Sequence, residues 1–175
     1  VNIKMKAGEL HAVWLPGFLG GNNMYQLEDY HVVWDTPGKD PSDSMPTGNG
    51  DIGLNVWTDP AGDVLVYLGK TDSWDENGRL LKVGRLRLHF DPSPFFQPES
   101  FRQELSLTES AVYLEANGFR LKIWVDANRP AVHLEGTGKQ PCEVTAKLEI
   151  WRTEPTEMLL EDKRDGRKNG GSEGS

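Results

Sequence analysis

Apolar and polar residues alternate along several short runs of this chain. Residues 85–90 read RLRLHF, and the same alternation recurs in residues 120–126 and 144–150. Successive side chains of a β-strand point to opposite sides of the sheet, so a period of two predicts strands with one apolar and one polar face. One polar face indicates antiparallel sheet, because parallel strands are covered on both sides. The pattern places Leu148 and Ile150 on the apolar face.

Turn-forming residues separate these runs and set the number of strands. Asn117-Gly118, between two such runs, is a strong signal for a tight β-hairpin. Many short strands at this spacing predict an all-β chain, folded as an antiparallel β-sandwich. Residues 154–162 are the only helix candidate. The predicted strands are residues 2–5, 30–34, 52–58, 63–70, 79–90, 101–108, 111–116, 119–126, 131–137 and 143–151.

A turn rich in glycine, residues 45–53 (MPTGNGDIG), comes just before the best defined strands. At least one of Gly48, Gly50 and Gly53 is expected at positive φ or in close backbone contact, because glycine adopts such conformations without strain. The stretch 35–50 consists almost entirely of turn formers and predicts a long irregular connection. Loops of this length in compact domains are often functional.

Composition divides the chain into three parts. Residues 1–29 contain an apolar stretch broken by proline and glycine, which predicts an N-terminal extension packed on the sheet. Residues 30–162 hold most of the alternating runs and are predicted to form the β-sandwich domain. Residues 163–175 carry no apolar side chain, so they are expected to be a flexible linker or loop, as in a fragment of a longer protein.

The charge balance argues against two classes of partner. The chain has a net charge of −8, whereas nucleic-acid binding depends on lysine and arginine that neutralise phosphates. The same charge disfavours anionic membrane surfaces, and no run reaches the roughly eighteen apolar residues that would span a bilayer. We therefore expect no nucleic-acid and no membrane partner.

Three neighbouring carboxylates, Asp72, Asp75 and Glu76, are the only cluster that resembles a catalytic site. Glycoside hydrolysis uses a pair of carboxylates that face each other across the substrate. Carboxylates this close in sequence seldom reach such separations, and residues 75–78 (DENG) also have the composition of a hairpin turn. We favour the turn and predict no catalytic residue.

No metal site or cofactor is predicted either. Cys142 is the only cysteine, so neither an internal disulfide nor a cysteine-based metal site can form. The four histidines are not at the spacing of metal ligands, and we expect them on strand faces. They are His11, His31, His89 and His133.

Polar side chains and one tryptophan are predicted to meet at one end of the sheet. The strands at 52–58 and 63–70 run in opposite directions, so the turn before the first adjoins the loop after the second. An indole for stacking beside amide and carboxylate partners is what a saccharide site needs. The alternative is that the cluster ties the two loops together or seals an interface with another domain. The candidate substrate-binding residues are Asn49, Asp51, Asp72 and Trp74.

The tryptophans differ in their predicted roles. Trp74 lies in a polar stretch and is an equally good candidate for a saccharide platform or for a docking or core residue. Four others lie within predicted strands and are expected in the core or at a sheet interface. These are Trp34, Trp57, Trp124 and Trp151.

Several motifs resemble those of a known group of glycosidases. Residues 46–53 (PTGNGDIG) are similar to the P-x-G-N-G-x-x-G motif in the N-terminal β-sandwich of inverting α-L-fucosidase-like enzymes and, more distantly, of maltose and kojibiose phosphorylases. Residues 71–74 (TDSW) are similar to their N-x-D-x-x-W region, but Lys70 and Thr71 replace the asparagine. A closer resemblance is to a bacterial family of fucosidase-like proteins, through residues 30–34 (YHVVW), the turn 48–51 (GNGD) and residues 80–87 (LLKVGRLR).

This resemblance covers about residues 30–155 and implies a role for the chain. In the bacterial family the region is an N-terminal domain of unknown function, and in the enzymes a large super-sandwich precedes an (α/α)6 barrel that carries the catalytic residues. The resemblance implies that this chain is a non-catalytic domain of a glycoside hydrolase and that its sandwich is incomplete. The domain would dock on the barrel of the same parent chain and shape the catalytic cleft. A periplasmic or secreted location is implied as well.

Two other functions remain open at the level of sequence. One is a free-standing carbohydrate-binding module with Trp74 as its platform and an oligosaccharide as its ligand. The other, a complete small enzyme, has little support because no opposed pair of carboxylates is evident.

Overall fold

The computed structural model describes residues 2–3, 26–150 and Glu154. Two 3-10 turns, Leu27–Tyr30 and Pro41–Asp43, accompany the strands. The strands are β1 (Asn2–Ile3), β2 (Val32–Trp34), β3 (Met45–Gly48), β4 (Ile52–Thr58), β5 (Val64–Trp74), β6 (Leu80–Asp91), β7 (Phe101–Ser106), β8 (Ala111–Ala116), β9 (Phe119–Val125), β10 (Val132–Gly138) and β11 (Glu143–Glu149).

The strands form two antiparallel sheets that share one core. The first sheet has the order β1-β11-β6-β5-β4-β3, and the second has the order β10-β9-β8-β7-β2. This sandwich confirms the predicted fold class. The predicted strands 52–58 and 111–116 coincide with β4 and β8. At the predicted hairpin, Asn117 and Gly118 both have positive φ, 49° and 75°, the combination that a tight two-residue turn requires.

The segment 35–50 is more regular than its composition predicts. It contains the turn Pro41–Asp43 and the strand β3, which pairs with β4 from Met45 to Gly48. Pro46 is compatible with this strand because β3 lies at the edge of its sheet, where one row of backbone groups needs no partner. The expectation of an irregular connection was therefore wrong. Tyr30, predicted as strand, ends a 3-10 turn instead.

Strand β5 is longer than predicted. The sequence pattern ended the strand at Lys70 and placed residues 71–78 in a loop, whereas β5 continues to Trp74. Beyond Lys70 the strand pairs with β6 alone, and the register between them shifts near Gly69. This part of the hairpin extends past β4 and does not pack on the core. Its residues therefore need not alternate between apolar and polar, and the sequence gives no strand signal here.

The core lies between the sheets and is built by the alternating residues. Leu88 and Phe90 of β6 and Leu121 and Ile123 of β9 are buried, which confirms the predicted facing of these strands. Phe95, in the link after β6, is fully buried as well. Its ring packs edge-on against Phe90 and Phe119, with centroids 5.3 and 5.9 Å apart.

The core covers only part of the apolar face of β11. Val144 is buried in the core, but Leu148 and Ile150 are 53% and 57% exposed. The core cluster reaches Ala146 on this strand and does not continue to Leu148. Alternation correctly gave the face of these side chains, but a face is buried only as far as the opposite sheet covers it.

The polar side of β6 carries an ion-pair network. Arg87 donates from Nη1 to Oδ2 of Asp63 over 2.7 Å and from Nε to Oε1 of Glu149 over 3.0 Å. Arg85 lies 2.6 Å from Oε2 of the same glutamate. Because Asp63 and Glu149 both bond to Arg87, the pKa of its guanidinium is raised. Strands β5, β6 and β11 are thus linked on the face opposite the core.

The tryptophans in strands divide between the two faces. Trp57 is buried, but on the side of β4 opposite the core residue Val56, where it packs against Tyr67 at a centroid distance of 4.9 Å. Trp34 packs partly buried against the core. Trp124 departs from its predicted place in the core or at a sheet interface, because it lies on the outer side of β9 and stacks on His133 of the same sheet. Trp151, like the helix candidate beyond Glu154 and the predicted linker, lies outside the described residues.

Candidate functional site

The turn between β3 and β4 contacts the C-terminal part of β5, from Lys70 onward. The sequence predicts this contact at the same end of the sheet. The amide of Thr71 donates to the carbonyl of Asp51 over 3.0 Å, and its hydroxyl donates to Oδ1 of Asp51 over 3.1 Å. Ile52, the first residue of β4, is the register partner of Lys70. The structure therefore brings Asp51 and the residues around Asp72 to one end of the six-stranded sheet.

Lys70 joins the two candidate carboxylates. Its Nζ atom lies 3.2 Å from Oδ1 of Asp51 and 2.7 Å from Oδ2 of Asp72. The hydrogen bond from Lys70 lowers the pKa of Asp72, and the bonds to Asp72 and Asp51 raise the pKa of Lys70. Both charges are therefore favoured at neutral pH. An ionised carboxylate paired with a lysine accepts hydrogen bonds but does not supply the proton of a general acid.

Asn49 has a structural role in the turn. Its Oδ1 atom accepts hydrogen bonds from the amides of Asp51 and Ile52 at 2.9 and 2.8 Å. Its Nδ2 atom donates to the carbonyl of Asp126 over 2.7 Å, across to the end of β9 in the other sheet. The amide of Asn49 thus holds the turn and ties the two sheets together.

Trp74 is exposed and held in one orientation. More than half of the residue, 57%, is accessible, so it is not a core residue. Its indole Nε1 donates to the carbonyl of Thr71 over 2.7 Å, and its register partner in β6 is the equally exposed Leu80. Asp72 and Trp74 lie within β5 itself, where the sequence predicts a loop.

The other two carboxylates of the polar stretch belong to the hairpin turn, as predicted. The amide of Asp75 donates to the carbonyl of Arg79 over 2.9 Å, and Gly78 has φ of 74°. The Asp75 carboxylate accepts from the amides of Asn77 and Arg79 and pairs with the guanidinium of Arg79 at 2.9 Å. Glu76 occupies the turn between them. No facing pair of free carboxylates is formed within this hairpin.

Sequence reasoning missed two features of this end of the sheet. One is Lys70, which the alternation assigns to the end of a strand without indicating that it bridges two acids. The other is a set of large apolar side chains that are exposed on or next to β5, β6 and β11 near this end of the sheet, and we call this set the apolar end. Its members are Trp74, Leu80, Val83, Leu148 and Ile150.

The residues of the apolar end come from adjacent strands. Trp74 and Leu80 are register partners in β5 and β6. Gly84 of β6 lies close to β11, because a Cβ atom at this glycine would lie 3.3 Å from Cδ1 of Leu148. In the sequence, this surface is indicated only by the apolar residues among 80–83 (LLKV), which belong to the predicted strand 79–90.

No metal centre is evident in the part of the chain that the structure describes. No group of three or more histidine, cysteine, aspartate or glutamate side chains is placed to hold an ion. Each of the three described histidines contacts one carboxylate. His89 and His133 lie in strands as predicted, whereas His31 follows the first 3-10 turn and precedes β2, and His11 lies outside the described residues. The contacts are His31 with Glu104 at 2.9 Å, His89 with Asp63 at 2.7 Å and His133 with Asp126 at 3.2 Å.

Comparison with known proteins relates the chain to a family of domains. The family model for the N-terminal domain of DUF5703, a domain of unknown function, matches residues 33–173. A comparison with curated proteins finds no match.

Among the described residues, no helix has the length and apolarity to span a bilayer.

Proposed function

Because this chain belongs to the family of the DUF5703 N-terminal domain, we propose that it is a non-catalytic β-sandwich that docks on a second domain of the same parent protein. From the resemblance in its motifs, the parent is a fucosidase-like glycoside hydrolase and the second domain is an (α/α)6 barrel. The sandwich shapes one wall of the catalytic cleft, and the parent works in the periplasm or outside the cell. Fractionation of cells that express the parent protein tests the location.

The observation that carries this proposal is the apolar end. Five large apolar side chains are exposed on neighbouring strands near one end of the sheet, and exposed apolar residues rimmed by polar ones are typical of an interaction surface. Its rim is polar: Lys70, Asp72 and Arg79 lie along the same hairpin. A domain that covers this surface would bury the apolar side chains and meet the charges at its edge.

The state of the carboxylates supports a non-catalytic role. Asp51 and Asp72 are paired with Lys70, and Asp75 is paired with Arg79. Asp51 also accepts from the hydroxyl of Thr71, and Asp75 accepts from the amides of Asn77 and Arg79. In this arrangement they order the hairpin, whereas a glycosidase needs one protonated and one ionised carboxyl group on opposite sides of the sugar.

Binding between separately produced domains tests docking. The tagged chain is mixed with the protein encoded downstream in the parent gene, and the complex is measured by sedimentation. The double substitution Leu80→Ser and Ile150→Ser is expected to weaken binding more than tenfold, because both side chains would lose apolar contact area. Phe96→Ser, an equally exposed apolar residue away from this end, is the matched control. Equal binding by both variants would contradict docking through the apolar end.

A second candidate function is saccharide binding at Trp74. The fixed indole exposes much of its surface beside Lys70 and Asp72, which supports a stacking platform with polar partners. Titration with fucose, galactose and short oligosaccharides, followed by tryptophan fluorescence, tests this. A saturable change that Trp74→Ala removes would favour the carbohydrate-binding module. An unchanged signal at millimolar sugar, with Trp74→Ala still folded, would leave Trp74 to docking.

A further inference from the structure

A cavity lies at the end of the sandwich opposite the candidate site. Its volume is about 360 Å³, and three connections form its walls: the link after β6, the turn between β8 and β9, and the link between β10 and β11. The lining includes Pro92, Pro94, Phe119, Lys139, Pro141 and Cys142. Cavities of this size are at the lower end of those that hold small organic molecules.

The charge of the cavity differs from that of the chain as a whole. Lys139 is the only charged residue in the lining, and no carboxylate is part of it, although the chain carries a net charge of −8. No ion pair of Lys139 is found among the described residues. Its methylene stem runs beside Gly118, since Cδ lies 3.5 Å from where a Cβ atom at this glycine would be. A lysine without an ion-pair partner among the described residues is thus part of the lining.

The remaining lining is mostly apolar. Three proline rings and the side chain of Phe119 contribute to it, and proline has no backbone N–H to offer a ligand. The side chains of Ser93 and Asn117 already donate to the carbonyls of Gly62 and Pro94. An apolar wall with one free cation fits a ligand that has an apolar body and one negative group.

We propose that this cavity binds a small monocarboxylate with an aromatic or aliphatic body, whose carboxylate contacts Nζ of Lys139. The site goes beyond the proposed docking function, since it uses none of the residues at the apolar end. Because Lys139 is exposed, its ion pair with the carboxylate adds little to the affinity. Selectivity between ligands depends on this charge and on contact with the apolar wall together. Dissociation constants in the millimolar range are expected, on the order of 1 mM.

The reactivity of Cys142 can be used to measure ligand binding in the cavity. It is the only cysteine of the chain, so the rate of alkylation by iodoacetamide reports on this site alone. Burial raises the pKa of the thiol, and labelling is therefore followed at mildly alkaline pH. Benzoate is the probe, its neutral analogue benzamide is the first control, and chloride at equal ionic strength is the second.

Benzoate is expected to slow labelling saturably, by about threefold or more near roughly 10 mM, as it would for a site with a dissociation constant of about 1 mM. Benzamide and chloride are expected to have little effect. Lys139→Glu should abolish the protection, whereas Lys147→Glu, which changes the net charge equally on β11, should retain it. Rates with and without benzoate are compared within each variant, since the substitution alters the thiol as well.

Three results would overturn the proposal. They are unchanged labelling with benzoate, equal protection by benzamide, and equal loss of protection in both lysine variants. If Lys139→Glu does not fold, amide chemical shifts of the unmodified protein decide: benzoate must shift Gly118, Lys139 and Gln140 saturably and more than benzamide does.

Discussion

Arg87 donates a hydrogen bond of 2.7 Å from Nη1 to Oδ2 of Asp63 on the outer face of the six-stranded sheet. Asp63 is 8% exposed, and removal of the guanidinium would leave its carboxylate and that of Glu149 without their shared partner. Arg87→Ala is therefore expected to lower the free energy of unfolding by about 1–3 kcal/mol. Arg79→Ala, at a more exposed pair, should have a much smaller effect. Urea denaturation measures the unfolding free energy of both variants. Equal losses would contradict the conclusion that the ion pairs of Arg87 stabilise the fold more than that of Arg79.

The pH dependence of stability is expected to show the contribution of Glu109. Hydrogen bonds from Lys122 and from the hydroxyl of Tyr113 lower the pKa of this glutamate from its usual 4.5. A carboxyl whose pKa is lower when folded stabilises the protein above the unfolded pKa, and loses this effect as pH falls through the folded value. The difference in unfolding free energy between the protein and Glu109→Gln should be constant above about pH 5.5 and shrink below 4.5. Because Glu109 is half exposed, a small difference is expected, and one that grows on acidification would contradict the assignment.

The glycine turn offers a graded test of backbone geometry. Gly50 has φ of 90°, and a Cβ atom at Gly48 would lie 2.6 Å from the carbonyl oxygen of Ile52. Substitution of either residue by valine should destabilise the fold by more than about 1 kcal/mol. A Cβ atom at Gly53 would have open space around it, with no contact within 4 Å beyond its chain neighbours, so Gly53→Val is the control. Thermal unfolding distinguishes them, and three equal effects would mean that the turn geometry does not decide stability.

Phe95 and Phe96 are adjacent but should respond very differently to truncation. Phe95 is fully buried against Phe90 and Phe119, so Phe95→Ala leaves a cavity and is expected to cost about 3–5 kcal/mol. Phe96 is 52% exposed, and Phe96→Ala should cost roughly 1 kcal/mol or less. Chemical denaturation of the two variants gives the comparison. Similar losses would show that the link after β6 is not packed as described.

The separate chain is expected to hydrolyse no aryl glycoside. Asp72 and Asp75 are both engaged by cations, and no opposed carboxyl pair is found in the described hairpin. Release of p-nitrophenol from α-fucosides and β-galactosides is the measurement. Turnover that disappears in Asp72→Asn or in Glu76→Gln would make the chain an enzyme in its own right.

Local signals in the sequence determined most of the strands. The alternation from Arg85 to Phe90 and the Asn117-Gly118 turn depend on the direction of neighbouring side chains and on the φ angles of single residues. Both are properties of a few adjacent residues, and the structure has them where the sequence predicts. The end of the sheet at which Asp51 meets Thr71 also followed from sequence, because antiparallel neighbours bring their connections together.

For the candidate site, the sequence identified the right stretch but not the state of its side chains. Asn49 was a candidate for ligand binding, whereas its amide ties the turn to Asp126, 77 residues away. Lys70 was part of a strand pattern, and its place between Asp51 and Asp72 depends on how β4 and β5 pair. Hydrogen-bond partners that are distant in the chain leave no periodic signal.

The sequence by itself determined the all-β class, the strand faces and the tight turns of this protein, because these depend on the period of side-chain direction and on local backbone conformation. The tertiary structure alone decided which of those faces are covered. Phe95 is buried and Phe96 exposed in one link, and Val144 is buried while Leu148, on the same side of β11, is exposed. Burial depends on where the opposite sheet begins and ends, and that is set by contacts between residues far apart in the chain.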